Sequence, residues 1–235
     1  MTLDLFEVPP YKCLFDCTLV SRMKLISINV SLPRLVSIHG KEVETGIFKA
    51  PVSGPVQVRT LNIEGDGQAD LSVHGGPDKA VYLYSWENTL YWKQALQRED
   101  LAPGSFGENL TVEGFSENDV AIGDEFAIGT ARFVVTQPRL PCFKLALALE
   151  TPSIPKTFLE SGRTGSYFRV LQEGTIQAGD PIHPLPSRES VRVTIAEFVQ
   201  LYREKRATRE QIKRILSLGA LPEDWKNRLL GKGRG

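Results

Sequence analysis

From residue 23 to about 186, apolar and polar positions change over in short runs. Segments 25–30, 55–63, 80–84, 109–113 and 131–136 alternate or are rich in β-branched and aromatic residues. That pattern predicts strands, because successive side chains of a strand face opposite ways. The run Pro55-Val56-Gln57-Val58-Arg59-Thr60-Leu61-Asn62-Ile63 shows the alternation most plainly. Turn residues separate the runs: Gly65-Asp66-Gly67, Gly75-Gly76-Pro77-Asp78, Pro103-Gly104, Ile122-Gly123-Asp124 and Ala178-Gly179-Asp180. Short strands at this spacing predict a closed or nearly closed β-barrel, since closure removes exposed strand edges.

Helical patterning interrupts the strands. Ser85 can cap a helix over about 86–98, with Glu87 in its favourable first turn. A second helix is predicted from Cys142 toward Glu150, with Leu145, Ala148 and Leu149 on one face, and a short third follows Pro155 and stops near Gly162. Pro184-Leu185-Pro186-Ser187 reads as a linker, after which the period becomes helical. Thr194-Ile195-Ala196-Glu197 and Thr208-Arg209-Glu210-Gln211 are capping boxes, each followed by an apolar face. Pro222 opens a third tail helix, with Leu221, Trp225 and Leu229 at four-residue spacing. Three helices this short cannot bury their faces alone, so they should pack on each other and on the barrel, or on a partner. The expected organisation is an extension over 1–22 that forms a mobile tail, a β domain over 23–186 and a three-helix region over 187–235. Met23 offers a second start, directly before the first strand.

Composition narrows the function classes. The chain has 235 residues, 41% of them hydrophobic, enough for one substantial core. Basic and acidic residues balance at 28 each, which argues against a dedicated nucleic-acid binder. No stretch reaches transmembrane length, and Asp4, Glu7, Pro9 and Pro10 do not suit a signal peptide. Cys13, Cys17 and Cys142 are too few and too scattered for a disulfide framework, so a reducing, cytoplasmic setting is expected. His39, His74 and His183 show no metal-ligand spacing. A dinucleotide fingerprint, a Walker loop, a serine nucleophile elbow and an iron–sulfur cysteine set are all missing from the sequence.

Four segments could carry chemistry. In Thr136-Gln137-Pro138-Arg139-Leu140-Pro141-Cys142-Phe143-Lys144 a strand ends, two prolines stiffen a turn and a thiol follows. A helix start and the flanking Arg139 and Lys144 favour its thiolate, the form that ligates soft metals or attacks electrophiles. A buried cysteine acting as a small hydrophobe is the other reading. Val73-His74-Gly75-Gly76-Pro77-Asp78-Lys79 offers backbone N–H groups and a cation to an anion, or is only a tight turn. Gly104-Ser105-Phe106-Gly107-Glu108-Asn109 carries an amide that can read a heterocycle edge, or is a loop before a strand. Ser161-Gly162-Arg163-Thr164-Gly165 suits a phosphate, or an ordinary turn.

Together these segments resemble the MOSC family, named for the C-terminal domain of molybdenum cofactor sulfurases. The resemblance rests on His74-Gly75-Gly76-Pro77-Asp78-Lys79-Ala80-Val81-Tyr82, Phe106-Gly107-Glu108-Asn109-Leu110, Ile122-Gly123-Asp124 and Gln137-Pro138-Arg139-Leu140-Pro141-Cys142, in that order. Gly162-Arg163-Thr164-Gly165 and Gly174-Thr175-Ile176-Gln177-Ala178-Gly179-Asp180 extend it, and the tail is similar to the three-alpha domain of the YiiM-like subgroup. It covers about residues 24–230. The resemblance implies a mainly β, MOSC-type β-barrel with a few short helices and a small three-helix C-terminal region. It also implies that Cys142 is the catalytic residue and the ligand of molybdenum in a molybdenum cofactor (molybdopterin). His74, Gly75, Gly76, Lys79, Asn109, Arg139 and Arg163 are then the expected cofactor-binding residues. The implied activity is reduction of N-hydroxylated base analogues such as hydroxylaminopurine to amines. Because the chain shows no electron-carrier motif of its own, a separate flavoprotein electron donor is expected. The alternative is a sulfur or cofactor carrier, in which Cys142 holds a persulfide and nothing is turned over.

Overall fold

In the computed structural model, residues 23–38, 41–69 and 75–231 are described. Twelve strands are present among them: β1 (Lys24–Val30), β2 (Arg34–Ile38), β3 (Lys41–Thr45), β4 (Ala50–Pro51), β5 (Val56–Val58), β6 (Val81–Ser85), β7 (Leu110–Glu113), β8 (Glu125–Ile128), β9 (Ala131–Pro138), β10 (Ser166–Gln172), β11 (Gly174–Ile176) and β12 (Ile182–Leu185). Eight of them form one sheet in the order β12-β8-β9-β10-β6-β7-β1-β4, while β11–β5 and β2–β3 make two small pairs. Neighbours in the large sheet are antiparallel except β6 and β7, which run parallel. A parallel pair needs a crossover, and helix α1 (Trp86–Leu96) supplies it. Ser85 caps α1 by accepting a hydrogen bond from the Asn88 N–H at 3.4 Å, as the sequence predicts.

The chain is mainly β, but the ladder does not describe the expected closed barrel. Its strand order has two ends, β12 and β4. The β12 end does approach β1, the strand beside the other end: Leu25 N–H donates to Asp180 O, Gly179 N–H to Leu25 O and Ile182 N–H to Met23 O. A single bridge, Lys24 to Pro181, accompanies these bonds. Proline has no N–H to continue a ladder, and Pro181 stands where the seam would have to extend. The predicted strand over 55–63 is also shorter than expected. Only Val56–Val58 forms a strand, on the three residues of β11, and Ile63 turns back to bridge Val58. Beyond it the chain folds back, with Arg59 N–H donating to Asn62 O and the Glu173 carboxylate accepting from Thr60 N–H and Oγ1.

The remaining helices are α2 (Phe143–Ala148), α3 (Ile154–Ser161), α4 (Ile195–Glu204), α5 (Arg209–Leu216) and α6 (Glu223–Leu229). Gly162 ends α3 in the left-handed region at φ 72°, a conformation that suits glycine. The capping box at Thr208 and Gln211 is complete. That at Thr194 is half formed: its hydroxyl accepts from Glu197 N–H, but the Glu197 carboxylate pairs with Arg214 on α5 instead. No helix among the described residues is long and apolar enough to cross a membrane.

Two apolar clusters lie on opposite faces of the sheet. In β6 the alternation is visible residue by residue: Val81 and Leu83 enter the larger cluster, Tyr82 and Tyr84 the smaller one. Phe198, Val199, Ile215, Leu221 and Trp225 of the tail belong to the larger cluster together with Leu25, Phe133 and Phe168 of the sheet. The smaller cluster packs Trp92, Phe106, Leu145, Ile154 and Phe158 around Tyr84, so it seats α2 and α3 against the sheet.

Candidate functional site

Register brings the site together. Tyr82 of β6 stands opposite Tyr167 of β10, and Tyr167 opposite Gln137 of β9. The chain leaves β9 at Pro138 and at once buries Arg139, only 5% exposed. Its guanidinium lies 5.0 Å from the Tyr82 ring centre and 5.7 Å from that of Phe158. Burial works to lower its pKa, but Tyr82, Tyr167 and Cys142 around it outweigh burial and raise it, so the charge is permanent. Its Nη1 has no hydrogen-bond partner. A buried donor without a partner is expensive and calls for an acceptor.

That acceptor would sit in the adjacent pocket, an empty space of about 640 Å³. Cys142, Arg139, Leu140 and Lys144 line one side of it, Lys79, Tyr82 and Tyr167 another. Thr45, Gly46, Ile47 and Lys49, packed against Asp66, Gly67 and Gly107, line the rest with Asn109. Cys142 carries no disulfide, is half-buried and stands at the residue before α2 in extended conformation. Gly107 permits the approach of the 45–49 segment: its φ is 76°, and a Cβ there would lie 2.8 Å from Ile47 Cγ1.

Four cations line this pocket and one carboxylate, Asp66, opposes them. Lys49 and Asp66 form a buried ion pair. Burial pulls the Lys49 pKa down, against the pull of Asp66 in the other direction. Asp66 also accepts from Ser31 N–H at 2.9 Å and Asn109 Nδ2 at 2.9 Å. Burial raises the pKa of Tyr167, with Arg139 acting against it and Cys142 adding to it. The surplus positive charge suits an anionic ligand.

A second chamber, of about 1010 Å³, adjoins the first. The two share Lys79, Leu140 and Tyr167 as wall. The second is closed by Gly75–Asp78 on one side and by Pro222, Asp224, Trp225 and Arg228 of the tail on the other.

The structure therefore brings Cys142, Arg139, Lys79 and Asn109 to one pocket and places Gly75 and Gly76 on the neighbouring one. It places Arg163 elsewhere: Nη1 donates to Asn88 Oδ1 at 2.8 Å and the guanidinium stacks 4.3 Å from the Tyr91 ring, so its charge is turned to α1 rather than to either chamber. Asn109 lines the pocket with its amide committed. Nδ2 donates to Asp66 and, at 3.3 Å, to Asn29 O, while Oδ1 accepts from Tyr82 N–H at 3.0 Å. Both its donors are thus used to hold the pocket wall. His74 lies outside the described residues, as do Cys13 and Cys17. Lys49, Asp66 and Tyr167 went unnoticed as site residues. Gly65-Asp66-Gly67 reads only as a turn, and nothing around Lys49 or Tyr167 sets them apart until the sheet pairs.

Residues 70–183 match the family model described as MOSC domain. The uncharacterized protein YflK of Bacillus subtilis (strain 168) is 41% identical over 212 residues, spanning 90% of this chain and 95% of YflK. The chain belongs to the MOSC domain family. Within it, the crystal structure of YiiM from Geobacillus stearothermophilus superposes with a TM-score of 0.75 at 36% identity, covering 89% of this chain and 98% of that one. A protein of Gibberella moniliformis (strain M3125 / FGSC 7600) named "Reductase" is 36% identical over 146 residues, which are 61% of this chain and 26% of that protein. MOSC domains are associated with molybdenum-cofactor binding, and this member has features that fit such a group. A buried guanidinium with an orphaned Nη1 and a surplus of cations suit an anionic pterin cofactor, and a thiol at the pocket suits a soft metal. Among the described residues no group of three or more His, Cys, Asp or Glu could cage a bare metal ion. One cysteine ligand matches a metal that arrives with ligands of its own.

Proposed function

We propose that this MOSC protein is a molybdenum-cofactor-dependent reductase of N-hydroxylated compounds, of the hydroxylaminopurine type, with Cys142 as the protein ligand of molybdenum. The observation that carries the reading is the meeting of Cys142 with the buried, unpartnered Arg139 Nη1 at one cation-rich pocket. The fungal relative named as a reductase supports the reaction class. The balanced reaction is R–NH–OH + 2 H⁺ + 2 e⁻ → R–NH₂ + H₂O. When bound, the cofactor supplies the two-electron chemistry at the N–O bond. The chain supplies the rest. Cys142 holds the metal side. Arg139, with Lys49 and Lys144, holds the anionic side and excludes competing cations. Lys79 and Tyr167 border both chambers, and as acids there they would supply protons to the leaving hydroxyl. A separate donor protein, which we propose is a flavoprotein, delivers the electrons.

The test is metal and pterin analysis of protein made in a molybdenum-replete host, for wild type and Cys142→Ser, followed by assay of hydroxylaminopurine reduction with NADH or NADPH, with and without a flavoprotein reductase. Wild type should carry molybdenum and turn over only with the reductase. Cys142→Ser should lose at least about 90% of the metal, since one of few ligands is removed, and should lose turnover with it. Wild type that carries no molybdenum, or Cys142→Ser that carries as much, would overturn the reading.

A further inference from the structure

The tail carries charge that its own folding does not explain. Residues 187–235 hold twelve Lys and Arg against six Asp and Glu, so in a chain balanced at 28 of each, residues 1–186 are left with sixteen against twenty-two. Much of the excess gathers where α4 turns into α5. Arg203, Lys205, Arg206, Arg209 and Lys213 are all exposed there. Among the described residues no carboxylate pairs with them, whereas the neighbouring Arg214 is held by Glu197. Arg203 and Lys205, at the end of α4, complement the negative pole of that helix. Arg209 does the opposite. It is the first residue of α5, at the positive pole, and it stands four residues before Lys213, so two cations repel along one face. Arg206 lies between the helices and caps neither. These charges oppose local stability, and an acidic partner would offset them.

The face is also joined to the site. Tyr202, 39% exposed, precedes Arg203 and sets its ring edge-on against Trp225 at 5.4 Å. Trp225 Nε1 donates to Gln137 Oε1 at 2.6 Å, and Gln137 pairs in register with Tyr167, which lines the Cys142 pocket. Contacts thus run unbroken from the basic face to the pocket wall.

We propose that the exposed basic face at the α4–α5 turn, with Tyr202 at its edge, is the docking surface for an acidic electron-donor protein. The inference rests on the reductase reading for what the donor delivers. With a reduced flavin, FlH₂, the net reaction is R–NH–OH + FlH₂ → R–NH₂ + H₂O + Fl: the flavin loses two electrons and two protons, and the N–O bond breaks. Charge selects the partner. Glu204 and Glu210 stand among the cations and oppose a continuous phosphate backbone, yet they can face the scattered cations of an otherwise acidic protein surface. The acidic balance of residues 1–186 steers such a partner toward the tail.

The experiment uses the full chain made with molybdenum and two electron sources. One is an acidic flavodoxin kept reduced by its NADPH-dependent reductase. The other is reduced methyl viologen, a small cation that needs no docking face. Arg206→Glu, Arg209→Glu and the double variant are compared with wild type and with Lys156→Glu, an exposed charge on α3. None of these empties a buried site, and Arg209→Glu puts an acid where a helix start favours one. Flavodoxin binding is measured by calorimetry at low and high salt, and turnover of 6-hydroxylaminopurine with each electron source. Wild type should bind flavodoxin, less tightly as salt rises. The double variant should bind it about tenfold more weakly, and its kcat/KM for flavodoxin should fall about tenfold through KM. Its turnover with viologen, and both readouts of Lys156→Glu, should stay within twofold of wild type. The proposal is overturned if wild type does not bind flavodoxin, if the double variant binds it within twofold of wild type, or if Lys156→Glu loses as much. It is overturned equally if a DNA duplex or phosphatidylglycerol vesicles bind this face more tightly than flavodoxin does. The two readings fail separately. Absence of viologen turnover in wild type, with flavodoxin binding that the double variant loses, would sink the reductase and leave the docking face. Turnover from both electron sources that the double variant keeps would do the reverse.

Discussion

Arg139 is the residue whose environment is hardest to explain without a ligand. A guanidinium 5% exposed, with an unpartnered Nη1, carries a desolvation cost that its aromatic neighbours only partly offset. Its worth should therefore appear in binding and not in folding. Arg139→Met keeps a similar volume between Tyr82 and Phe158 and removes the charge. Replacing a buried charge by a hydrophobe is commonly neutral or stabilising, so the urea midpoint of the cofactor-free variant should equal or exceed that of wild type. Its molybdenum content should fall about tenfold, the scale seen when supporting groups at metal sites are removed. A variant that unfolds more easily yet keeps its molybdenum would show that Arg139 is structural. The sequence made Arg139 visible as a charge beside Cys142. It could not show that the charge is buried, because Tyr82 meets it only through the pairing of β6, β10 and β9 and Phe158 only through the packing of α3 on the sheet. Asn109 shows the converse, since its donors are spent on Asp66 and Asn29 O.

At the scale of elements, Glu117 ties the loop before β8 to α1 and to the turn before β10. One oxygen, Oε1, accepts from Asn88 Nδ2 at 2.7 Å and from Gly165 N–H at 2.9 Å. Burial raises its pKa above 4.5, with the Gly165 N–H, Asn88 and Arg163 acting against that rise. A raised folded-state pKa means that the stabilising share is complete below the unfolded value and is lost as pH rises through the folded one. Glu117→Gln keeps an oxygen for both donors and never ionises. The variant should therefore gain on wild type as pH is raised from 4.5 toward neutrality, measured as the difference of their urea midpoints. A difference that is flat or falls with pH would mean that the ionised carboxylate is favoured in the fold. Elements with strong local signals were legible: Ser85 capping α1, Gly162 ending α3 and the Thr208 box opening α5. Strands β4, β11 and β12, two to four residues long, the first and last bearing Pro51 and Pro184, were not. So few residues carry no period, and only a neighbouring strand makes them strands.

For the molecule as a whole, the linker at 184–187 suggests two units, but the larger core runs through both. Phe198 of α4, 2% exposed, meets the Trp225 ring edge-to-face at 5.0 Å within the same cluster as Phe133 and Phe168 of the sheet. Phe198→Ala should cost roughly 3–5 kcal/mol, the range for emptying a buried aromatic site. Unfolding of the variant followed by far-UV circular dichroism and by tryptophan fluorescence should still give one coincident transition. Two separate transitions would show that the tail folds by itself. The sequence by itself determined the β-rich class, the helical character of the tail and the family, because each of these is written in local period, turn chemistry or an ordered motif. Tertiary structure alone decided that the ladder has two ends, that Arg163 turns to α1, that Lys49, Asp66 and Tyr167 join Cys142, and that the tail walls a second chamber. Those facts depend on strand register and on contacts between residues far apart in the chain, and such contacts leave no mark on the residues nearby.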